Sequence, residues 1–325
     1  MKLYTGIDLG TSAMKLLLMG ADGTIHNTVT REYPLEFPQP GWSQQNPEDW
    51  KKALFEGLPE LLKGFDASCV AGIGCGGQMH GLVLLDENDE VIRPAILWND
   101  GRTGAETAYL NEAIGQDKLM EYTANIAFAG FTAPKILWVK KNEPENFAKI
   151  KKIMLPKDYL AYKLSGTLAT DYSDASGMLL LDVKNRCWSK EMCKICSVNS
   201  DTLPTLFESS EKIGTLLPEI GRELGLGEIT IAAGAGDNAG AAIGTGISGA
   251  GDCNISLGTS GTVFISQDSF TKNECGALHN FCHANGKYHL MGCILSAASC
   301  HKWICDKIFT ETDYNKLCNK YIFRY

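Results

Sequence analysis

Two short segments of this chain have the composition needed to hold phosphate. Ile7-Asp8-Leu9-Gly10-Thr11-Ser12 recurs as Ile255-Ser256-Leu257-Gly258-Thr259-Ser260. In each copy an apolar β-run meets a glycine turn and continues into a second β-run. Glycine lets the backbone bend and come close to a ligand. Consecutive N–H groups and the hydroxyls of Thr11, Ser12, Thr259 and Ser260 can then surround phosphate oxygens. Either hexapeptide alone is an ordinary hairpin. Together they point to a nucleotide held between two related units. Neither is a Walker A loop, because G-x-x-x-x-G-K-[ST] is absent. The copies differ where Asp8 is replaced by Ser256. The first copy alone therefore offers a carboxylate, a hard oxygen ligand suited to Mg²⁺ or its waters. Lys15 stands close enough in sequence to add positive charge.

Moving a phosphoryl group also needs a placed acceptor hydroxyl and a group to take its proton. Asp237, between Gly236 and Asn238 after an apolar run, is the candidate base. Desolvation there would raise its pKa towards useful basicity. An Asp after Gly is equally an ordinary turn residue. Gln78, Met79 and His80 cap a strand with glycines on both sides, at the strand end where open α/β sheets bind ligands. His80 is expected to donate to a hydroxyl. Trp98, Asn99, Asp100 and Arg102 combine an aromatic with several hydrogen-bonding groups. That mixture suits a sugar, and it equally suits a surface loop anchored by its tryptophan.

The elements that must position these residues follow from periodicity and turn chemistry. Leu3 to Leu9, Met14 to Met19 and Ile25 to Thr30 read as strands, with Asp22-Gly23 as a hairpin turn. Asn46 caps a helix that begins at Pro47 and carries Trp50, Leu54, Leu58, Leu61 and Leu62 at helical spacing. Pro59 is placed to kink it, and Gly64 to close it. Val70 to Cys75, Leu82 to Leu85, Ala95 to Trp98 and Ile229 to Ala233 read as further strands. Helices are expected to dominate from Ala105 to Leu164, with Lys149 to Lys152 on a solvated helix face. A small-residue helix is expected from Ala239 to Gly246. The expected domains are residues 1–247 and 248–325, divided where glycine and small residues cluster.

The chain has 325 residues, enough for two domains. Hydrophobic residues make up 44% and charged residues 21%, so it can bury a core. The net charge of −8 argues against a nucleic-acid partner. No apolar run is long enough to span a bilayer. The acid at position 8 argues against a signal peptide. Twelve scattered cysteines fit reduced thiols in the cytoplasm. Cys187, Cys193 and Cys196 contain a lone C-x-x-C. Cys275, His279, Cys282 and His283 bring soft ligands together, but at separations unlike paired zinc ligands. Both groups read as buried thiols on ordinary elements.

The hairpin repeat resembles the actin-like ATPase superfamily. With Gly77-Gln78-Met79-His80-Gly81, Ile96-Leu97-Trp98-Asn99-Asp100-Gly101-Arg102, Gly130-Phe131-Thr132-Ala133-Pro134-Lys135, Leu155-Pro156-Lys157-Asp158-Tyr159-Leu160, Ser173-Asp174-Ala175-Ser176-Gly177, Gly236-Asp237-Asn238-Ala239 and Leu295-Ser296-Ala297-Ala298-Ser299-Cys300, the chain resembles the FGGY carbohydrate kinases. Met79-His80-Gly81 gives it most similarity to the branch that phosphorylates D-xylulose. The resemblance implies an α/β, ribonuclease H-like actin fold of two related domains, the second incomplete. It implies ATP and Mg²⁺, with Asp237 as base, Met79 and His80 on the sugar, Asp8 near metal and phosphates, and Gly258, Thr259 and Ser260 near the nucleotide. Gly10, Thr11, Ser12 and Lys15 are expected on the phosphates, and Gln78, Trp98, Asp100, Arg102 and Asn238 around the sugar. A homodimer is the family-level expectation. The family also carries a proline- and arginine-bearing segment and a glycine-rich adenosine loop that find no match here. The second domain is therefore expected to hold about its first 75 residues, short of the usual domain size. Rival readings are a kinase for another ketose or a sugar acid, or a sugar-binding chain with little transfer activity.

Overall fold

The computed structural model describes residues 2–258, 260–273, 276–309, 313 and 316. The first unit is built on strands β1 (Leu3–Leu9), β2 (Ala13–Gly20), β3 (Ile25–Glu32), β4 (Val70–Gly77), β5 (Lys212–Thr215) and β6 (Thr230–Gly236). They lie in the order β5-β6-β4-β1-β2-β3. The β1–β2–β3 meander is antiparallel, whereas β1, β4 and β6 run parallel. Alternation in β1 buries Leu3, Thr5, Ile7 and Leu9 and leaves Asp8 exposed.

Helices pack on this sheet. α1 (Pro47–Leu62) starts as expected: the Asn46 side chain accepts from the Glu48 amide, and Pro47 fills the first position. It packs on β2 and β3, burying Trp50, Leu54, Leu58 and Leu61. Gly57 allows the close approach, since a Cβ there would sit 2.8 Å from Leu16 Cδ1. α2 (Thr132–Asn142) belongs to a second apolar core with Met79, Phe131 and Met178. α3 (Pro156–Ser165) packs on β4 and β6.

Helices dominate between Ala105 and Leu164 as expected, interrupted by one short strand. Lys152–Met154 forms a strand antiparallel to Val83–Leu85, and Lys152 pairs with Asp89. The basic run therefore leaves a helix at Lys149 and enters a sheet, because Ile153 and Met154 need burial that an exposed helix face would deny them. The strand expected from Ala95 to Trp98 is limited to Ala95–Ile96. α4 (Asp237–Gly244) begins two residues earlier than its small-residue run indicates.

The second unit contains β7 (Cys253–Leu257), β8 (Gly261–Gln267), β9 (His279–Cys282) and β10 (Tyr288–Ile294), ordered β7-β8-β10-β9 and antiparallel throughout. Its inner face buries Phe264, Phe281 and Met291; Ile255, Leu257, Val263, Ile265 and Ile294 are exposed. The units are stapled through β9. Asn125 and Asn280 exchange buried side-chain-to-backbone bonds of 3.0 and 2.9 Å, and the Cys282 amide donates to Ser176 Oγ at 2.9 Å.

Candidate active site

Strands β1, β4 and β6 end side by side. In register, Asp8 faces Gly76, and Gly236 faces Gly77. The central strand ends in glycines, so the space between the Asp8 and Asp237 side chains stays open. A cleft of about 850 Å³ occupies it, lined by Asp8, Gly10, Asp237 and Asn238 on one side and by Ser256 and Thr262 on the other. The two hairpins of the repeat thus face one volume, although Thr259 lies outside the described residues. The second turn is tight, with the Gly258 amide donating to Ser260 O at 2.9 Å. Ser12 and Lys15 are exposed, and Lys15 lies opposite Asp8 in the β1–β2 register. Another cleft of about 700 Å³, lined by Asp117, Glu121, Asp182 and Lys184 among others, holds none of the expected site residues.

Solvent reaches both carboxylates through the cleft, while protein closes around them on the remaining sides. Loss of surrounding water raises Asp8 above its usual range, with the Lys15 charge opposing. The same loss raises Asp237 to about 6 against the hydrogen bond from the Asn238 amide, and the Asp8 charge adds to the rise. Asn238 donates its amide and side-chain N–H groups to Asp237 Oδ1 at 2.7 and 2.9 Å. Its own Oδ1 accepts from Thr262 Oγ1 at 3.2 Å, linking Asp237 to the second unit.

Beside β4, Met79 packs against Gly236, where a Cβ would lie 3.0 Å from its sulfur. His80 adopts φ +67°, and three bonds hold it there. Lys135 Nζ and Thr132 Oγ1 donate to its carbonyl at 2.8 and 3.1 Å, and its Nδ1 meets Gly177 O at 2.8 Å. A carbonyl can only accept, so Nδ1 carries the proton and Nε2 the lone pair. Burial and the Lys135 charge push the ring's pKa down to about 3. His80 is therefore neutral and presents an accepting Nε2, where the sequence led us to expect a donor. Gly177 is glycine because a Cβ there would fall 2.3 Å from that ring.

Several expected sugar residues have other tasks. Trp98 Nε1 donates to Thr11 Oγ1 at 2.9 Å, Thr11 to Gln78 Oε1 at 3.2 Å, and Gln78 Nε2 to Gln45 Oε1 at 3.1 Å. Gln45 Nε2 in turn bonds Thr11 O at 2.7 Å. Gln78 and Trp98 thereby brace the first phosphate hairpin. Asp100 and Arg102 pair with each other at 2.8 Å, fully buried. Asp100 also accepts from the Ser43 amide, and Arg102 stacks on Trp42 at 4.0 Å. Arg102 Nε and Nη2 are engaged by Asp100 and by Gln44 Oε1, whereas its buried Nη1 has no hydrogen-bond partner among the described residues.

Sequence reasoning missed the buried charges behind the site. Lys157 Nζ lies 2.6 Å from Asp158, 3.0 Å from Asp171 and 3.9 Å from Asp174. Burial works against its charge, but the three carboxyls outweigh that and hold its pKa above the usual value. Asp174 is pushed well up by burial. A lysine early in a helix reads as solvated, and only the packing of α3 on β4 and β6 buries it. Among the described residues no group of three or more His, Cys, Asp or Glu is arranged to hold a metal. Cys275 lies outside them.

Residues 3–244 match the N-terminal domain model of the FGGY family of carbohydrate kinases. The chain belongs to that family. It is 43% identical over 302 residues to a xylulose kinase of Escherichia coli, covering 93% of this chain and 62% of that protein. It thus spans about three fifths of that relative's length. A xyloylose kinase from Brucella ovis superposes with a TM-score of 0.92 at 41% identity, covering 98% of this chain and 66% of that one. A gluconate kinase from Lactobacillus acidophilus superposes with a TM-score of 0.89 at 25% identity, covering 96% and 63%. The fold is that of the FGGY sugar kinases.

Proposed function

We propose that this chain carries the sugar and phosphate sites of an ATP-dependent kinase that converts D-xylulose to D-xylulose 5-phosphate, with Asp237 as general base. The carrying observation is Asp237 itself. It is an aspartate with no cationic partner among the described residues, raised to about 6, in a cleft bordered by two phosphate-type hairpins. A base poised near neutral pH is what proton transfer from an alcohol requires. Asp237 takes the proton of the 5-hydroxyl as that oxygen bonds the γ-phosphorus. The bond from phosphorus to the bridging oxygen breaks, and ADP leaves with its electrons. Asn238 orients the base, and the hairpin amides with Lys15 hold phosphate oxygens in place. His80 accepts from a sugar hydroxyl through Nε2, with Met79 beneath the carbon chain.

The donor set fits magnesium. Asp8 offers a hard carboxylate oxygen on the cleft wall, and Mg²⁺ is commonly held by one or two carboxylates with phosphate oxygens and water completing its shell. Such an ion would neutralise charge on the phosphates. The similarity to xylulose kinases at 41–43% identity favours D-xylulose. A sugar acid is less well served, since Lys135 is engaged with the carbonyls of His80 and Gly130 and Arg102 with Asp100. The test is ADP release on adding D-xylulose, in the parent and in Asp237→Asn. Sugar-dependent release that vanishes in the variant is expected; equal release in both would remove Asp237 from the base role.

A further inference from the structure

The strand that delivers Asp237 is irregular just before it. The β6–β4 register shifts between Ala232 and Ala235. Gly234 sits there at φ +79°, where a Cβ would lie 1.8 Å from Cys75 O. Bulges of this kind re-aim the side chain that follows. This one is tied down at three points. Lys157 Nζ donates to Ala233 O at 3.3 Å. The Gly234 amide donates to Ser209 O at 3.0 Å. The Gly236 amide donates to Ser173 Oγ at 3.1 Å.

All three ties converge on one carboxylate. Asp171 Oδ1 lies 3.0 Å from Lys157 Nζ. Its Oδ2 accepts from the Ser173 amide at 2.9 Å, from Ser173 Oγ at 2.5 Å and from Ser209 Oγ at 2.7 Å. Lys157, Asp171 and Ser173 are each inaccessible to solvent. Ion pairs cut off from water are a poor source of stability, whereas removing one partner leaves the other buried and uncompensated. Continuous hydrogen-bond chains in low dielectric are also stiff.

Resting on the reading of Asp237 as base, we propose that Lys157, Asp171 and Ser173 are positioning residues that lock the Gly234 bulge and so aim Asp237 into the cleft. Ser173 is the link nearest the base and the gentlest to remove. The control is Ser209→Ala, which deletes one bond to Asp171 but leaves the Gly236 tie. In the full chain, Ser173→Ala is expected to speed hydrogen exchange at the Gly236 amide at least about tenfold while the rest of β6 and β4 is unchanged. D-Xylulose-dependent ADP release should fall about 10–100-fold in kcat with little change in the KM for sugar. Ser209→Ala should alter both far less. A folded Ser173→Ala with unchanged Gly236 exchange overturns the proposal, as does faster exchange with an unchanged kcat. Equal losses in Ser173→Ala and Ser209→Ala would reduce the cluster to general support and overturn it too. Asp237→Asn is run alongside: if it keeps the parent rate, the base assignment itself has failed.

Discussion

The proposed chemistry rests on Asp237 and its neighbours as individual side chains. A base with a pKa near 6 must be ionised to work, so transfer should rise as pH climbs through about 6 and level off above it. Asp237→Asn should cost about 10²–10⁴-fold in rate at pH 7.5 without unfolding the chain. A rate profile flat from pH 5 to 8 in the parent would contradict the assignment. Part of the geometry was legible from residue types: Asp8, Gly10, Asp237 and Asn238 do line one cleft. What was not legible was which polar groups are already spent. Nothing in the order Trp98-Asn99-Asp100-Gly101-Arg102 says that Asp100 and Arg102 pair with each other in a buried loop, or that Trp98 and Gln78 brace Thr11. The bracing contacts come from segments far apart in the chain, 33 residues for Gln78 to Gln45 and 87 for Trp98 to Thr11.

At the level of elements, the site depends on three parallel strands ending at one height and on a bulge in the last. Hydrophobic alternation located β1, β2 and β4 and the capping residues located α1, because these signals are local. The Gly234 bulge and the buried ends of α3 were invisible, since both arise from packing between strands and helices distant in sequence. Gly234→Ala tests the bulge directly. The added methyl has no room beside Cys75 O and the positive φ disfavours it, so a loss on the order of 2–4 kcal/mol is expected. Urea denaturation followed by circular dichroism measures it. A variant as stable as the parent would mean that this strand can straighten.

The whole molecule joins two units through a seam rich in neutral histidine. Burial holds His80 at about 3, His279 at about 4 and His289 well below its ordinary value. The unfolded chain would bind these protons near pH 6.5, whereas the folded chain refuses them. Stability from these rings is thus present above pH 6.5 and lost as pH falls towards 4. Each refused proton costs up to about 1.4 kcal/mol per pH unit. The melting temperature should therefore drop between pH 7 and pH 5, and a constant or rising value would show the seam protonates freely. On the second unit, Ile255, Leu257 and Ile294 stay exposed, and the chain spans 62% of the length of its Escherichia coli relative.

Met79, His80 and Asp237 are proposed to form a D-xylulose site. Calorimetric titration of D-xylulose into the chain tests it most directly, with other ketoses and the His80→Ala variant as comparisons. Saturable binding selective for D-xylulose is predicted, weakened about tenfold in His80→Ala by loss of one hydrogen bond. Binding that ignores both the choice of ketose and the loss of His80 would contradict it.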